Sequence, residues 1–183
     1  MQLKDCIQVY DHVMAYEHIG GLVKWLNTQK FTAATTVGGI NTKIRKAENL
    51  GMTNNSKSQT MVHWHNYLHF NFFKYLQNYK EKFPKLSFHN HFDITALKYE
   101  KTGHYAYHHD SSWQIMRTMS CILMLNNDYE GGDLSFADQN NEEILKVEKQ
   151  ANRMIIWPSN FLFPHAVLPV TKGKRYSIVA WAF

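Results

Sequence analysis

The chain has 183 residues, a length that suits one globular domain with a sizeable core. Hydrophobic residues make up 44% of the sequence and aromatic residues 14%, which excludes a disordered or fibrous protein. The net charge of +5 favours acidic partners or anionic small molecules. The basic residues are scattered, which is typical of a solvated surface and disfavours nucleic acid as a partner.

The cysteine content and the N-terminal residues bear on the location of the protein. Cys6 and Cys121 are too few for a disulfide framework, and a reducing, cytoplasmic setting is therefore expected. The first residues lack the basic start and apolar stretch of a secretory signal. No apolar run approaches the length that crosses a bilayer, so we expect no membrane association. So short a chain without accessory domains suggests a bacterial or viral source.

The first half of the sequence predicts helical elements. A short strand over residues 7–10 precedes a helix over 15–29, in which apolar residues recur at helical spacing. A stretch that contains Gly and Thr, 32–56, is expected to be irregular with a short strand. Residues 58–82 predict a longer helix, whose broad apolar and aromatic face indicates packing in the core.

From residue 92 the pattern shortens to strands separated by turn residues. Eight strands are predicted, over residues 93–99, 105–110, 117–125, 133–136, 143–148, 153–157, 165–170 and 175–183. This series is typical of a jelly roll, in which two sheets face each other across a core or cavity. We therefore predict an α+β, mainly β fold: a double-stranded β-helix (jelly roll) braced by N-terminal helices. Residues 1–183 would form a single domain, with 1–90 as helical support with the first strands and 91–183 as the jelly-roll core.

Three residues offer the ligands of a mononuclear iron that activates O2, namely two imidazoles and one carboxylate. Residues i and i+2 of a strand point to the same side, so His108 and Asp110 would share one face. His109 would point the other way and is assigned no coordination. His165, at the start of a later strand, supplies the second imidazole. The motif His91-Phe92-Asp93 matches the same spacing, so spacing alone is weak evidence, and the role of His91 and Asp93 stays open.

Ten residues after His165, Arg175 opens the last predicted strand. Alternation places Arg175 on one face with Ser177 and Trp181, directed into the cavity. A dianionic cosubstrate that chelates iron at one end needs a cationic, preferably bidentate partner at the other, which a guanidinium provides. Arg175 is therefore the candidate anchor. Arg117 and His104 are weaker candidates for substrate contacts.

Several stretches of the second half carry a family pattern. They are Leu97-Lys98-Tyr99, Gly103, Tyr105-Ala106-Tyr107-His108-His109-Asp110, Leu123-Met124-Leu125, Glu130-Gly131-Gly132, and His165 followed by Arg175 and Trp181. Together they resemble prolyl 4-hydroxylase-like members of the 2-oxoglutarate/Fe(II)-dependent dioxygenase superfamily. The resemblance is specific over residues 94–183, and Ile44-Arg45 also resembles a turn that recurs in these enzymes.

The resemblance implies a role for each candidate residue. His108, Asp110 and His165 would be the catalytic metal ligands that bind Fe(II). Arg175 and Tyr99 would bind 2-oxoglutarate by its far carboxylate. Tyr105 and Trp181 would face the substrate above the iron.

The implied activity is that of a 2-oxoglutarate-dependent dioxygenase, which uses O2 to hydroxylate an unactivated C–H bond and releases succinate and CO2. Ascorbate is a further candidate cofactor. The prolyl-type spacing favours a prolyl residue in a peptide or protein as the substrate. Hydroxylation of a free amino acid and demethylation of an alkylated nucleobase stay open as alternatives. Outside the enzymes, a catalytically inactive jelly-roll binding module is the competing hypothesis.

Overall fold

The computed structural model describes residues 2–36, 38–90 and 92–183. A short 3-10 helix, Leu3–Cys6, precedes the first strand. The two α-helices are α1 (Tyr16–Leu26) and α2 (Gln59–Lys82). The strands, in chain order, are β1 (Gln8–Asp11), β2 (Thr32–Ala33), β3 (Arg45–Lys46), β4 (Glu48–Met52), β5 (Phe92–Tyr99), β6 (His104–His108), β7 (Met119–Met124), β8 (Glu130–Gly131), β9 (Leu134–Ala137), β10 (Glu143–Val147), β11 (Arg153–Pro158), β12 (His165–Val167), β13 (Val170–Lys172) and β14 (Arg175–Ala182).

The strands form two facing sheets and a small third one. The larger sheet has seven strands in the order β1-β11-β7-β14-β5-β4-β2, and the second has five in the order β10-β9-β12-β6-β3. The third pairs β13 with β8, and every pairing between these strands is antiparallel. Leu97 and Ile122 of the larger sheet share one buried apolar cluster with Phe136 of the smaller sheet. Two sheets packed face to face confirm the predicted jelly roll.

Both helices cover the outer face of the seven-stranded sheet. Helix α2 begins after Ser58, whose hydroxyl accepts a hydrogen bond from the Met61 amide at 3.3 Å. Its buried side, which includes Leu68 and Phe72, packs together with buried side chains of α1 and of the sheet. Burial of each such side chain stabilises the fold by roughly 1.5–3 kcal/mol. This packing confirms the prediction that the helices brace one sheet from outside. In the described part of the chain, the helices are too short or too polar to cross a membrane.

Strand β14 separates the core under the helices from the space between the sheets. It pairs with β5 on one side and with β7 on the other. Tyr176 and Ile178 belong to the core under the helices, whereas Val179 and Trp181 belong to the cluster between the sheets. The predicted alternation along this strand is confirmed, and it puts Arg175 on the side that faces the second sheet.

Several elements differ from the predicted ones, and three of the differences lie near the space between the sheets. Strand β6 ends at His108, and Asp110 lies in a bend two residues beyond it. The strand predicted over 165–170 is divided into β12 and β13, because Pro169 has no amide hydrogen to donate to a ladder. The stretch 32–56 contains three short strands instead of one. Two of these, β3 and β4, pair with β6 and β5, which lie far away in the sequence.

Candidate metal centre

The three predicted ligands meet at one end of the five-stranded sheet. Strands β12 and β6 pair so that His165 lies opposite His108, and the bend after β6 brings Asp110 to the same place. The Nε2 atom of His108 lies 3.5 Å from Oδ1 of Asp110, and Nε2 of His165 lies 3.3 Å from Oδ2. One ligand atom from each residue lies within 4.8 Å of the other two. The predicted cluster is therefore assembled, although Asp110 reaches it from a bend and not from the strand.

Backbone carbonyls fix both imidazole rings. The Nδ1 atom of His108 lies 2.9 Å from the carbonyl oxygen of Ala106, and Nδ1 of His165 lies 3.1 Å from that of Phe163. Because a carbonyl oxygen only accepts, each Nδ1 carries the hydrogen and each neutral ring presents the Nε2 lone pair to the cluster. Two nitrogen lone pairs and a carboxylate thus converge on one point, which is an arrangement that suits a cation.

The electrostatics of the cluster favour the ligand forms of Asp110 and His108. Burial alone would raise the pKa of Asp110, but the adjacent His165 and His108 hold it well below its usual range. Burial, together with the neighbouring His165, lowers the pKa of His108. An ionised carboxylate and neutral imidazoles are the forms that bind metals, and this donor set fits ferrous iron.

The other spacing match, His91 and Asp93, does not rival this cluster. His91 lies outside the described residues, and Asp93 is exposed on β5. Among the residues that the structure describes, no second group of three His, Cys, Asp or Glu side chains is close enough to hold a metal. The exposed ring of His109 points away, with Nδ1 donating to the carbonyl of Ser111 at 2.7 Å.

A cavity of about 360 Å³ opens beside the ligands. Its wall includes all three ligands and four further residues that the sequence singles out, namely Tyr99, Tyr105, Arg117 and Trp181. Apolar side chains from both sheets complete much of the wall, among them Leu97, Ile122, Leu134, Trp157, Val167 and Val179. His104 lies outside this wall, with Nε2 3.2 Å from the carbonyl of Lys43.

Two arginines stack on the aromatic side chains of the cavity. The Arg117 guanidinium lies 3.7 Å from the ring centre of Trp181, and that of Arg45 lies 4.5 Å from the ring centre of Tyr105. Tyr105 is also stacked on His108, with 3.5 Å between the ring centres. Burial lowers the pKa of Arg117, which nevertheless stays far above neutral pH. The wall therefore presents two fixed cationic donors near the ligands.

Arg175 occupies the far end of the site. It is fully buried and lies across from Tyr99 in the pairing of β14 with β5, its guanidinium 5.2 Å from the centre of the Tyr99 ring. Nη1 donates to the hydroxyl of Ser177 at 2.8 Å. Nε and Nη2 have no hydrogen-bond partner of ordinary geometry within residues 2–36, 38–90 and 92–183, although the Tyr129 hydroxyl lies beside the guanidinium; we call them the open donors of Arg175. A buried cation with open donors is costly unless an anion binds, and the fork suits a carboxylate.

The prediction that Arg175 and Ser177 point into the cavity is wrong, because neither residue lines it. Tyr99 lines the cavity and contacts Arg175, so Tyr99 lies between the cavity and the arginine. Burial raises the pKa of Tyr99, although Arg45 and Arg175 oppose that rise. Tyr99 is therefore a neutral hydroxyl beside two cations. It can donate one hydrogen bond to an anion held by Arg175.

Gly132 makes room for the stem of Arg175. Its backbone has φ +66°, and a Cβ atom there would lie 3.1 Å from Cδ of Arg175 and 2.9 Å from Cγ2 of Val170. A residue with a side chain would be strained by the backbone and would push on the arginine. This gives the Glu130-Gly131-Gly132 motif a physical function.

Sequence reasoning missed several residues of the site. Arg45 enters through the pairing of β3 with β6, which sets it opposite Tyr105. Tyr129 lies near Arg175, whose charge opposes the rise that burial causes in the pKa of Tyr129. Ser120 donates a hydrogen bond to Asp110 at 2.7 Å. The resemblance of Ile44-Arg45 to a recurrent turn is the one signal that pointed to any of them.

The fold and the cluster define the class of the protein: a jelly roll that carries a site for a mononuclear metal with two histidines and one carboxylate. Residues 94–183 match the family model of the 2OG-Fe(II) oxygenase superfamily. The match covers just under half of the chain, and over these residues the chain is similar to members of that superfamily.

Individual relatives and solved structures are also similar to this chain. A PKHD-type hydroxylase of Psychrobacter sp. (strain PRwf-1) is 42% identical over 76 residues, which cover 40% of this chain and 28% of that hydroxylase. The match therefore spans well under half of the relative's length. A Pseudomonas putida prolyl-4-hydroxylase superposes with a TM-score of 0.76 at 18% identity, over 97% of this chain and 92% of that one.

A second solved structure has the same fold. It is a prolyl hydroxylase from Trichoplax adhaerens in complex with a peptide fragment of the hypoxia inducible factor oxygen degradation domain. It superposes with a TM-score of 0.80 at 15% identity, over 97% of this chain and 83% of that one. At these identities the superpositions show the fold alone, which is the double-stranded β-helix predicted from the sequence.

Proposed function

We propose that this protein is an Fe(II)- and 2-oxoglutarate-dependent dioxygenase that hydroxylates a prolyl residue of a peptide or protein. One observation carries the proposal. The cluster of His108, Asp110 and His165 shares the space between the sheets with a buried arginine, Arg175, whose open donors call for an anion. A metal site alone would not point to 2-oxoglutarate, but a metal site with a buried cation that can bind a carboxylate supports it.

In this proposal, His108, Asp110 and His165 hold the iron, and Arg175 with Tyr99 holds the far carboxylate of 2-oxoglutarate. Bound iron and 2-oxoglutarate supply the oxidising chemistry, in which O2 is consumed, succinate and CO2 are released and a C–H bond is hydroxylated. The chain itself binds, orients and excludes water. The apolar wall of the cavity keeps the reacting centre dry.

The guanidinium groups of Arg45 and Arg117 are suited to orient a substrate. Each is held by an aromatic ring, and the Nε atoms of both are buried without a partner among the described residues. Peptide carbonyl oxygens are acceptors that such donors can bind. We therefore assign Tyr105, Trp181, Arg117 and Arg45 to substrate binding.

The segment that follows Asp110 favours a polypeptide over a free amino acid. Its ends are tied together, because the Arg117 amide donates to the Ser111 hydroxyl at 3.2 Å. Yet its tip exposes apolar side chains: Trp113 is 87% exposed and Met116 is 78% exposed, while the adjacent Ile115 lines the cavity. Exposed apolar groups that are continuous with a cavity mark a surface for a larger partner. A free amino acid would leave this surface uncovered.

The aromatic residues of the cavity disfavour a nucleobase. A flipped base is read by stacking between aromatic or apolar side chains. Here Tyr105 already contacts His108 and Arg45, and the Arg117 guanidinium already stacks on the ring of Trp181. The rings are thus engaged with cationic or imidazole partners.

The activity test measures succinate formed from 2-oxoglutarate by the Fe(II)-loaded protein, with ascorbate present to keep the iron reduced. We expect turnover by the wild type and none by His165→Ala. His109→Ala is the matched control, because it removes a neighbouring histidine that points away, and it should retain activity. If the wild type forms no succinate with any substrate of a broad panel, the proposal is wrong and the inactive binding module replaces it.

The substrate test compares proline-containing peptides, free amino acids and methylated oligonucleotides. We expect stimulation by peptides alone, with a mass gain of one oxygen on a prolyl residue. Trp113→Ala should raise the KM for peptides about tenfold while leaving uncoupled turnover of 2-oxoglutarate unchanged. Phe70→Ala is the control, because Phe70 is also an exposed aromatic, 64% exposed, but lies on α2. Stimulation by free amino acids or by oligonucleotides alone would assign the enzyme to that substrate class instead.

A further inference from the structure

Two buried serines lead from the metal cluster into the larger sheet. The hydroxyl of Ser120 donates to Oδ2 of Asp110 at 2.7 Å, and the hydroxyl of Ser159 lies 2.7 Å from that of Ser120. Each serine is 1% exposed. The ligand carboxylate therefore sits at the end of a chain of hydrogen bonds that is shielded from solvent.

The direction of this chain follows from its chemistry. A carboxylate only accepts, so the single hydroxyl proton of Ser120 is used on Asp110. Ser120 must then accept from its other neighbour, and the proton between the two serines belongs to Ser159. The order of donation is Ser159 to Ser120 to Asp110, and each hydrogen bond polarises the next.

The backbone fixes Ser159 on two sides. Its amide donates to the carbonyl of Thr118 at 3.1 Å, just before β7, and its carbonyl accepts from the amide of Ser111 at 3.0 Å, just after Asp110. Ser120 itself is on β7, opposite Trp157 of β11. The two serines thus join β7, the end of β11 and the segment that follows the metal ligand. They are placed by the sheet, not by a mobile loop.

We infer that Ser120 and Ser159 are positioning residues for the metal site: they hold Oδ2 of Asp110 so that the carboxylate offers one oxygen, Oδ1, to the metal. This inference rests on the proposed metal site. Without the Ser120 proton, Oδ2 loses its charge-assisted partner and the carboxylate can turn. The metal would then bind less tightly, and the carboxylate could use both oxygens. Outer hydrogen-bond partners of metal ligands typically change metal affinity about 10- to 100-fold.

The test measures the dissociation constant of Co(II) and the visible absorption of the Co(II)-loaded protein, neither of which depends on turnover. Ser120→Ala should weaken Co(II) binding about tenfold or more and reduce the intensity of the visible band, because a second carboxylate oxygen raises the coordination number. Ser120→Thr keeps a hydroxyl and should restore the wild-type affinity to within about threefold. Ser159→Ala should have a smaller effect, about threefold, because Ser120 can still donate.

A buried serine elsewhere supplies the matched control. Ser135 is fully buried on β9; its hydroxyl donates to Glu143 at 2.7 Å and lies 2.8 Å from the hydroxyl of Tyr107, and within the described residues it has no hydrogen bond to a metal ligand. Ser135→Ala should lower the thermal midpoint about as much as Ser120→Ala but leave Co(II) affinity and the absorption band unchanged. The double variant Ser120→Ala/Ser159→Ala should bind Co(II) no more weakly than Ser120→Ala, since the effect of Ser159 passes through Ser120.

The outcomes separate this inference from the proposed function. Unchanged Co(II) affinity and an unchanged band in folded Ser120→Ala, or equal weakening by Ser135→Ala, would overturn the positioning role alone. A wild type that binds Co(II) as expected but forms no succinate with Fe(II) would overturn the proposed activity and leave the positioning role standing. A wild type that binds no Co(II) would overturn the metal site and the positioning role together.

Discussion

The two ends of the site are built on opposite principles. At the metal end, the chain itself supplies partners: carbonyl oxygens for His108 and His165, and a serine hydroxyl for Asp110. At the anchor end, Arg175 has Ser177 as one partner and keeps its open donors. The metal end is organised by the protein before any ligand arrives. The anchor end is completed only by a ligand that carries negative charge.

This difference has an energetic meaning. A buried, unsatisfied charged group costs free energy in the ligand-free protein, and binding of a carboxylate removes that cost. If the proposed function is right, the free energy that the ligand-free protein loses at the anchor end would strengthen the binding of 2-oxoglutarate there. No such free-energy cost arises at the metal end, because the polar atoms there already have hydrogen-bond partners within the protein.

The largest expected effect is at the metal end. His108→Ala should weaken Fe(II) or Co(II) binding by more than about 100-fold, because a lost ligand costs more than a lost outer partner. Isothermal titration under anaerobic conditions measures this. His109→Ala serves as the control and should bind as the wild type does. Equal losses in both variants would show that the local fold, and not coordination, is responsible.

The next effect separates the two ends. Arg175→Met should weaken 2-oxoglutarate binding by about 2–3 kcal/mol, roughly 30- to 150-fold, while Co(II) affinity stays unchanged. The ligand-free variant should be as stable as the wild type or more stable, because a well-packed apolar side chain replaces a buried charge. Thermal unfolding with and without 2-oxoglutarate tests both statements. A large loss of stability without ligand would contradict the idea that Arg175 is a cost in the empty site.

A smaller effect is expected where Gly132 meets Arg175. Gly132→Ala should weaken 2-oxoglutarate binding about tenfold and lower stability by roughly 1–3 kcal/mol, because the added Cβ crowds the arginine and the positive φ is strained. Gly39→Ala isolates the strain, since Gly39 also has positive φ, +93°, but an added Cβ meets no described atom within 4 Å. It should lose stability and keep its affinity. If both variants lose affinity equally, crowding of Arg175 is not the cause.

The smallest effect is at an ion pair exposed to water, far from the buried charges of the site. Hydrogen bonding to Arg153, at 2.7 Å, lowers the pKa of Asp11 below its usual value. Because the folded pKa is depressed, the stabilisation is present above the unfolded pKa, near 3.9, and is lost as pH falls through the folded value. Asp11→Asn should cost at most about 1 kcal/mol at pH 7, and progressively less as pH falls through the folded pKa of Asp11. A difference that persists at pH 2 in thermal melts would assign it to packing.

The sequence predicted the site where local periodicity decides the outcome. Alternation along β14 placed Arg175 and Trp181 on one face, and the structure agrees. The spacing of His108 and Asp110 predicted the cluster only together with His165 and the family resemblance, and it did not predict that the strand ends between them. Periodicity predicts which residues share a face of a strand, but it does not predict where the strand ends.

Residues brought in by distant pairing were not predictable in the same way. Arg45 reaches the cavity only because β3 pairs with β6. Ser159 reaches Ser120 because β11 lies beside β7. No local pattern announces either contact, since the order of strands in a sheet depends on the packing of the whole chain. The same holds for β2 and β4, which extend the larger sheet from a stretch predicted to be mostly irregular.

Strand β14 fixes the distance between the two ends of the site. Arg175 stands near its start and Trp181 near its end, six residues or about 20 Å apart at the rise of a β-strand. Strand β14 pairs with β5 on one side and with β7 on the other, which fixes its register. Arg175 and Trp181 therefore keep a constant separation. A single residue inserted or deleted between them would turn either Arg175 or Trp181 to the opposite face of the sheet. Under the proposed function, a change of substrate would be expected from exchanged side chains at the Trp181 end and not from a change in the length of the strand.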